Sequence, residues 1–229
     1  MSPATNSPGP LRALAFDLDG TLVDSAPDIA QALNAALRQS GLPDFDLERV
    51  RAWIGDGPDK LIERALAAAG VTAAAALQTT LRQAFDRATL QAPLAHGLVY
   101  AGIAELLAQL RPAWPMVVVT NKPTRLARAV LEAAALLPNL HAVYGADETA
   151  QRKPAPRLLQ RAAAELGLPA AQILMVGDSA ADMGAAAAAG APAAWAGWGY
   201  GDLHRLAKAP RWHLKRPQDL LVLLRRAAA

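Results

Sequence analysis

Short unbroken apolar runs alternate along the chain with longer stretches of helical periodicity. Leu11–Phe16, Met116–Thr120 and Ile173–Val176 are the clearest runs. They lack the polar alternation of a half-exposed strand and suit strands buried on both faces of a parallel sheet. Leu140–Tyr144 and Ala193–Ala196 are weaker candidates of the same kind. Between them, Ile103–Leu110, Leu126–Leu136, Arg157–Glu165 and Asp182–Ala189 read as helices. Strands alternating with helices predict an α/β fold built on a doubly wound, Rossmann-like parallel sheet.

One interval breaks the alternation. From Pro27 to Gln91 the pattern is helical throughout: Asp28–Gln39, Leu47–Trp53, Asp59–Ala69 and Ala74–Thr89, with no strand run among them. A wholly helical block between the first and second strands predicts an inserted all-helical cap domain. The expected organisation is a disordered lead over 1–10, a Rossmann-like core from 11–26 and 94–229, and a helical cap over 27–93. No fixed-period repeat is present.

Composition narrows the chemistry. The chain has 229 residues, 53% hydrophobic and 19% charged, which excludes a disordered or fibrous protein. Cysteine is absent, removing thiol nucleophiles, thiolate zinc sites and disulfides together. The net charge is +3, but its basic residues are interleaved with Asp and Glu, so no nucleic-acid stripe is expected. The uncharged Met183–Gly201 window is Ala- and Gly-rich and broken by Pro192, so it is not read as a membrane span. The N-terminus lacks the basic and apolar regions of a signal peptide, and a soluble cytoplasmic protein is expected. Monomer and homodimer both remain open.

The ends of the strand runs carry the candidate chemistry. The first delivers Asp17 and Asp19, the second Thr120, and the third Asp178, with Asp182 four residues on. In an open parallel sheet, ligands bind beyond the carboxyl ends of the strands, so residues far apart in sequence can meet there. Carboxylates converging without Cys or His suggest a hard cation with oxygen ligands, and Mg²⁺ fits best. Lys153 and Thr120 beside such an ion make sense if the ligand is a phosphoryl group. Asp17 can then attack phosphorus as a nucleophile, and Asp19, two residues on and pointing the same way, can serve as acid and base.

Phe16-Asp-Leu-Asp-Gly-Thr-Leu-Val-Asp-Ser25, Val119-Thr-Asn-Lys122, Lys153-Pro-Ala-Pro156 and Gly177-Asp-Ser-Ala-Ala-Asp182 resemble, in order, the four motifs of the haloacid dehalogenase superfamily. The resemblance spans nearly the whole chain and is closest to bacterial phosphoglycolate phosphatases. It implies Asp17 as nucleophile, Asp19 as acid/base, and Thr120 and Lys153 as ligands of the phosphoryl group. It further implies Mg²⁺ held by the carboxylates of Asp17 and Asp178 and the backbone carbonyl of Asp19. Asp182 would stand behind these ligands or assist them, with Ser179 beside it. The implied reaction is hydrolysis of a small phosphorylated metabolite, most closely 2-phosphoglycolate, with a phosphosugar, nucleotide or N-acetylmuramate phosphate as alternatives. A phosphomutase resembling β-phosphoglucomutase is disfavoured, because Ile29 occupies the position of that family's histidine. A dehalogenase lacks the second carboxylate that Asp19 provides, and a non-catalytic phosphate-binding module would be expected to lose Asp17, Asp19 or Lys153.

The remaining fragments carry competing readings. Asp24 and Asp28 read as N-caps of the helix that opens the cap. Asn121 and Lys122 either touch phosphate or start the helix after the second strand; Asn121 is counted with the substrate-binding residues. Gly55-Asp-Gly-Pro-Asp59 reads as a helix start that could face an anionic leaving group. Lys60 and Arg64 would either reinforce that site or simply face water. His96 reads as a surface or hinge residue, and the five tryptophans, irregularly spaced, as packing. The chain re-enters the core near Tyr100-Ala-Gly102, where the family usually has Pro-Gly.

Overall fold

The computed structural model describes residues 10–72, 74–206 and 209–227, so most of the expected N-terminal lead lies outside the described residues. Among these, a six-stranded parallel sheet runs in the order β5-β4-β1-β6-β7-β8. Its strands are β1 (Ala13–Phe16), β4 (Met116–Thr120), β5 (Ala142–Gly145), β6 (Ile173–Gly177), β7 (Ala193–Ala196) and β8 (Trp212–Leu214). β1 lies between β4 and β6, pairing Leu14 with Met116 on one side and with Leu174 on the other. The fold class is the expected α/β one.

Alternate residues of each strand feed different faces of the sheet. Leu14, Phe16, Met116, Val118, Leu174 and Val176 enter one buried cluster with α5 (Ile103–Leu110), α6 (Thr124–Ala133) and α9 (Asp219–Ala227). Ala13, Ala15, Val117, Val119, Ile173 and Met175 enter another with α7 (Arg157–Leu166) and α8 (Ala180–Ala189). The central strands are buried on both faces, which explains their unbroken apolar runs.

A third cluster belongs to the inserted helices α1 (Ala26–Gln39), α2 (Leu47–Arg51), α3 (Pro58–Ala68) and α4 (Ala75–Gln91). Leu33, Leu37, Ile62, Leu66, Leu81 and Phe85 are buried within it, and Leu126 of α6 joins from the sheet side. The insertion leaves and returns through an antiparallel ribbon of β2 (Val23–Asp24) and β3 (Leu98–Val99), pairing Val23 with Val99 and Asp24 with Leu98.

Several element ends differ from expectation. α6 starts at Thr124 and stops at Ala133, short of Leu136, because Ala135 takes a left-handed conformation at φ 55°. α2 stops at Arg51 instead of running to Trp53. α8 begins two residues early, at Ala180, because Ser179 and Asp182 form a reciprocal capping box. The short β2–β3 ribbon, β8 and α9 carry no prediction. None of the helices among the described residues is long and apolar enough to cross a membrane.

Candidate active site

The carboxyl ends of β1, β4 and β6 meet at one place. Asp17 follows β1 directly, its N–H donating to the Val176 carbonyl at 2.9 Å. Thr120 ends β4 and Asp178 follows β6, both buried. Lys153, buried in the loop ahead of α7, reaches in from the side. Its Nζ donates to the Val119 carbonyl at 3.0 Å and to Asp182 Oδ1 at 2.6 Å, and lies 2.7 Å from Asp17 Oδ1. That last approach is a buried ion pair.

Carboxylate oxygens of Asp17, Asp178 and Asp182 all lie within 4.8 Å of one another. Asp182 is committed to protein partners: its second oxygen accepts from the N–H and hydroxyl of Ser179, at 2.9 and 2.6 Å. Asp178 accepts from Thr21 Oγ1 at 2.9 Å and from the Tyr200 N–H at 2.7 Å. Gly20 sits against this carboxylate at φ 88°, and a Cβ there would collide with it, which explains the Asp-Gly-Thr sequence after β1.

The electrostatics are unfavourable as they stand. Burial, and then the neighbouring Asp182 carboxylate, push the Asp17 carboxyl up to about 7, with Lys153 opposing. Burial and Asp182 likewise push Asp178 up to about 6. Burial works against the Lys153 charge, but Asp17 and Asp182 outweigh it and hold its pKa above the ordinary lysine value. Three carboxylates facing one ammonium leave two negative charges in a buried, oxygen-only site. That donor set fits a hard divalent cation.

Asp19 faces the same opening but a different neighbour. Lys122 Nζ donates to both of its oxygens, at 2.8 and 3.0 Å, and Ser25 Oγ donates to Oδ1. Asn121 lines the cavity, yet its amide is taken up by protein: Oδ1 accepts from the Lys153 N–H at 2.7 Å, and Nδ2 donates to the Gly55 and Lys153 carbonyls at 2.9 and 3.2 Å. It joins the inserted helices to the Lys153 loop. Arg152 adds a second tie by pairing with Asp59 of α3.

The inserted helices roof this site and leave a cavity above it. Asp17, Asp19, Thr120 and Lys122 line its floor, and Ile29, Ile54, Leu61, Phe85 and Leu126 its walls. A second opening, beside Asp178, is bordered by Arg51, Ser179 and Tyr200.

Two expectations about neighbouring residues, the capping roles of Asp24 and Asp28, need correction, and the two readings of Lys60 and Arg64 are resolved toward the surface. Asp24 and Asp28 are not N-caps: Ser25 occupies the N-cap of α1 and makes no side-chain cap bond. Asp24 instead accepts from the Tyr200 hydroxyl at 2.7 Å. Asp28 accepts from the N–H groups of Ala95, His96 and Gly97, at 2.8, 2.9 and 2.7 Å, fixing the return from the insertion. Lys60 and Arg64 do not line the cavity: Lys60 pairs with the exposed Glu63, and Arg64 with Asp56 and the Trp53 carbonyl. Thr21, Ser25 and Tyr200 make contacts at the site that sequence reasoning did not single out, whereas Lys122, read as a phosphate contact or a helix start, pairs with Asp19. Thr21 and Ser25 lie within the first motif, whereas Tyr200 comes from a loop with no motif of its own.

Comparison with known proteins agrees with this geometry. The haloacid dehalogenase-like hydrolase family model matches residues 11–190. A phosphoglycolate phosphatase of Pectobacterium atrosepticum is 39% identical over 217 residues, covering 93% of this chain and 92% of its own. One from Caulobacter vibrioides is 40% identical over 188 residues, covering 82% and 79%. A crystal structure described as a predicted phosphoglycolate phosphatase from Haemophilus somnus superposes with TM-score 0.83 at 29% identity, covering 93% of this chain and 97% of that one. With its motif residues gathered at the ends of β1, β4 and β6, the chain belongs to the haloacid dehalogenase-like hydrolases and is a hydrolase of phosphoric monoesters.

Proposed function

We propose that the chain hydrolyses 2-phosphoglycolate to glycolate and phosphate through an aspartyl-phosphate on Asp17. The observation carrying this reading is the meeting of Asp17, Thr120, Lys153 and Asp178 under the inserted helices, in a chain whose relatives are named for that substrate. A carboxylate oxygen of Asp17 attacks phosphorus, and the bond from phosphorus to the ester oxygen breaks. Asp19 gives its proton to the departing glycolate oxygen. Water then attacks the aspartyl-phosphate while Asp19 takes a proton back, the Asp17–phosphorus bond breaks, and phosphate leaves. Lys153 and Thr120 orient the phosphoryl oxygens and balance their charge.

The carboxylates of Asp17 and Asp178 and the backbone carbonyl of Asp19 would hold Mg²⁺, with Asp182 and Ser179 fixing the surroundings of Lys153. Bound there, the ion supplies positive charge to the phosphoryl oxygens. The apolar walls support a small leaving group, since a phosphosugar or nucleotide would bring hydroxyls that Ile29, Ile54, Leu61 and Phe85 cannot bond.

The test is kcat/KM over a panel of phosphate monoesters, with magnesium and with EDTA. 2-Phosphoglycolate should rank first and activity should vanish with EDTA. Asp17→Asn should lose about 10⁴-fold or more in kcat and fail to retain radiolabelled phosphate after acid quench. A labelled Asp17→Asn protein, or a phosphosugar ranking first, refutes the corresponding part.

A further inference from the structure

The cavity has an anion-recognition problem that its roof does not solve. Among the inserted helices, Lys60 is paired with Glu63, Arg64 with Asp56, and Arg82 with Asp59 and Asp86. None of these cations lines the cavity, whose roof side is apolar, and Arg51 of α2 borders the other opening, beside Asp178, where it pairs with Asp24. The one ammonium among its lining residues is Lys122, on the floor, with only 5% of its side chain exposed. Its Nζ gives hydrogen bonds to both oxygens of Asp19. An ammonium has three N–H groups, so two bonds to Asp19 leave one for a further acceptor. Among the described residues Asp19 is the only carboxylate paired with it.

The placement matters because Asp19 is the group assigned to the leaving-group oxygen. Whatever is attached to that oxygen comes within reach of the ammonium beside Asp19. In a phosphorylated 2-hydroxy acid, the carboxylate begins on the carbon that carries the ester oxygen. A carboxylate there would face the apolar wall unpaired unless Lys122 received it, and an unpaired buried charge is costly.

We propose that Lys122 determines specificity by receiving the leaving group's carboxylate, so that the preferred substrates are phosphate monoesters of small 2-hydroxy acids. Lys122 thus bridges Asp19 and the substrate, lining up the acid with the oxygen it protonates. The inference rests on the hydrolysis proposed above and names what reads the leaving group.

The experiment compares 2-phosphoglycolate with phosphoglycolamide, which replaces the carboxylate by a neutral amide of similar shape. The wild-type chain should prefer the acid in kcat/KM by about a hundredfold, and Lys122→Met should bring the two substrates to within a few-fold of each other. Lys122→Arg, which retains the charge, should keep part of the preference. Lys122→Gln reads the same contrast if the Met variant does not fold. Equal losses on both substrates in the neutral variants would show that Lys122 serves Asp19 alone, and would overturn this assignment while leaving phosphoglycolate hydrolysis intact. A wild-type chain that hydrolyses both substrates without preference also overturns it. Failure of the wild-type chain on 2-phosphoglycolate itself would overturn the underlying reading as well.

Discussion

At the scale of single residues, the chain places carboxylates with two separate tasks a few positions apart. Asp17 and Asp19 face the cavity, whereas Asp28 gathers three backbone N–H groups from the returning segment. Asp28→Ala leaves those donors without an acceptor in a largely buried setting and is expected to cost about 3 kcal/mol of folding stability. Urea unfolding would register this as an earlier midpoint, and an unchanged midpoint would show that the return segment holds itself. The contrast also shows what a sequence can disclose about a residue. Asp17 and Asp178 were legible because an apolar strand run ends at each, and strand ends converge in this class of sheet. Asp24 and Asp28 were not, because an Asp near a helix start has the same local pattern whether it caps that helix or bonds backbone 67 residues away. Asn121 shows a similar gap: its position after β4 was readable, but its bonds to Gly55 and Lys153 depend on two other segments arriving beside it.

At the scale of elements, the strands were most legible and the edges least. β4, α5 and β7 begin and end where their apolar patterns do. β8 offers only Trp212-His-Leu214, too short and too polar to stand out, although Leu214 is buried in the core. The link between the roof and the Lys153 loop is likewise a property of assembled elements. Asn121 spans from β4's end to the Gly55 carbonyl before α3, and Arg152 reaches Asp59 inside α3. Asn121→Ala removes the bonds that fix the Lys153 backbone and is expected to lower kcat by tenfold to a hundredfold, with a smaller change in KM. Steady-state kinetics on 2-phosphoglycolate measures the split. A rise in KM alone would mean that Asn121 binds substrate and does not position Lys153.

At the scale of the whole molecule, folding and the charged cluster are coupled. Asp17 and Asp178 have raised pKa values when folded, about 7 and about 6, against an ordinary value of 3.8. Between 3.8 and about 7 the folded chain therefore binds more protons than the unfolded one, and the cluster's contribution to stability falls as pH rises through that window. A divalent cation binds the deprotonated cluster, so its stabilisation grows over the same range. In EDTA, the melting temperature is expected to drop between about pH 5 and about pH 8, and added magnesium should raise it more at the higher pH. An equal magnesium increment at both pH values would show that these carboxylates do not hold the ion.

The β2–β3 ribbon brings the two ends of the helical insertion side by side, Asp24 across from Leu98. Neighbouring strands lie only about 5 Å apart, so the chain passes from the sheet to its roof and back through a narrow two-chain stalk. Such a stalk makes the insertion a detachable cassette. A roof of different length or lining could be grafted between the same two points without changing the span that the rest of the chain must bridge, and Asp17, Lys153 and Asp178 would keep their places beneath it.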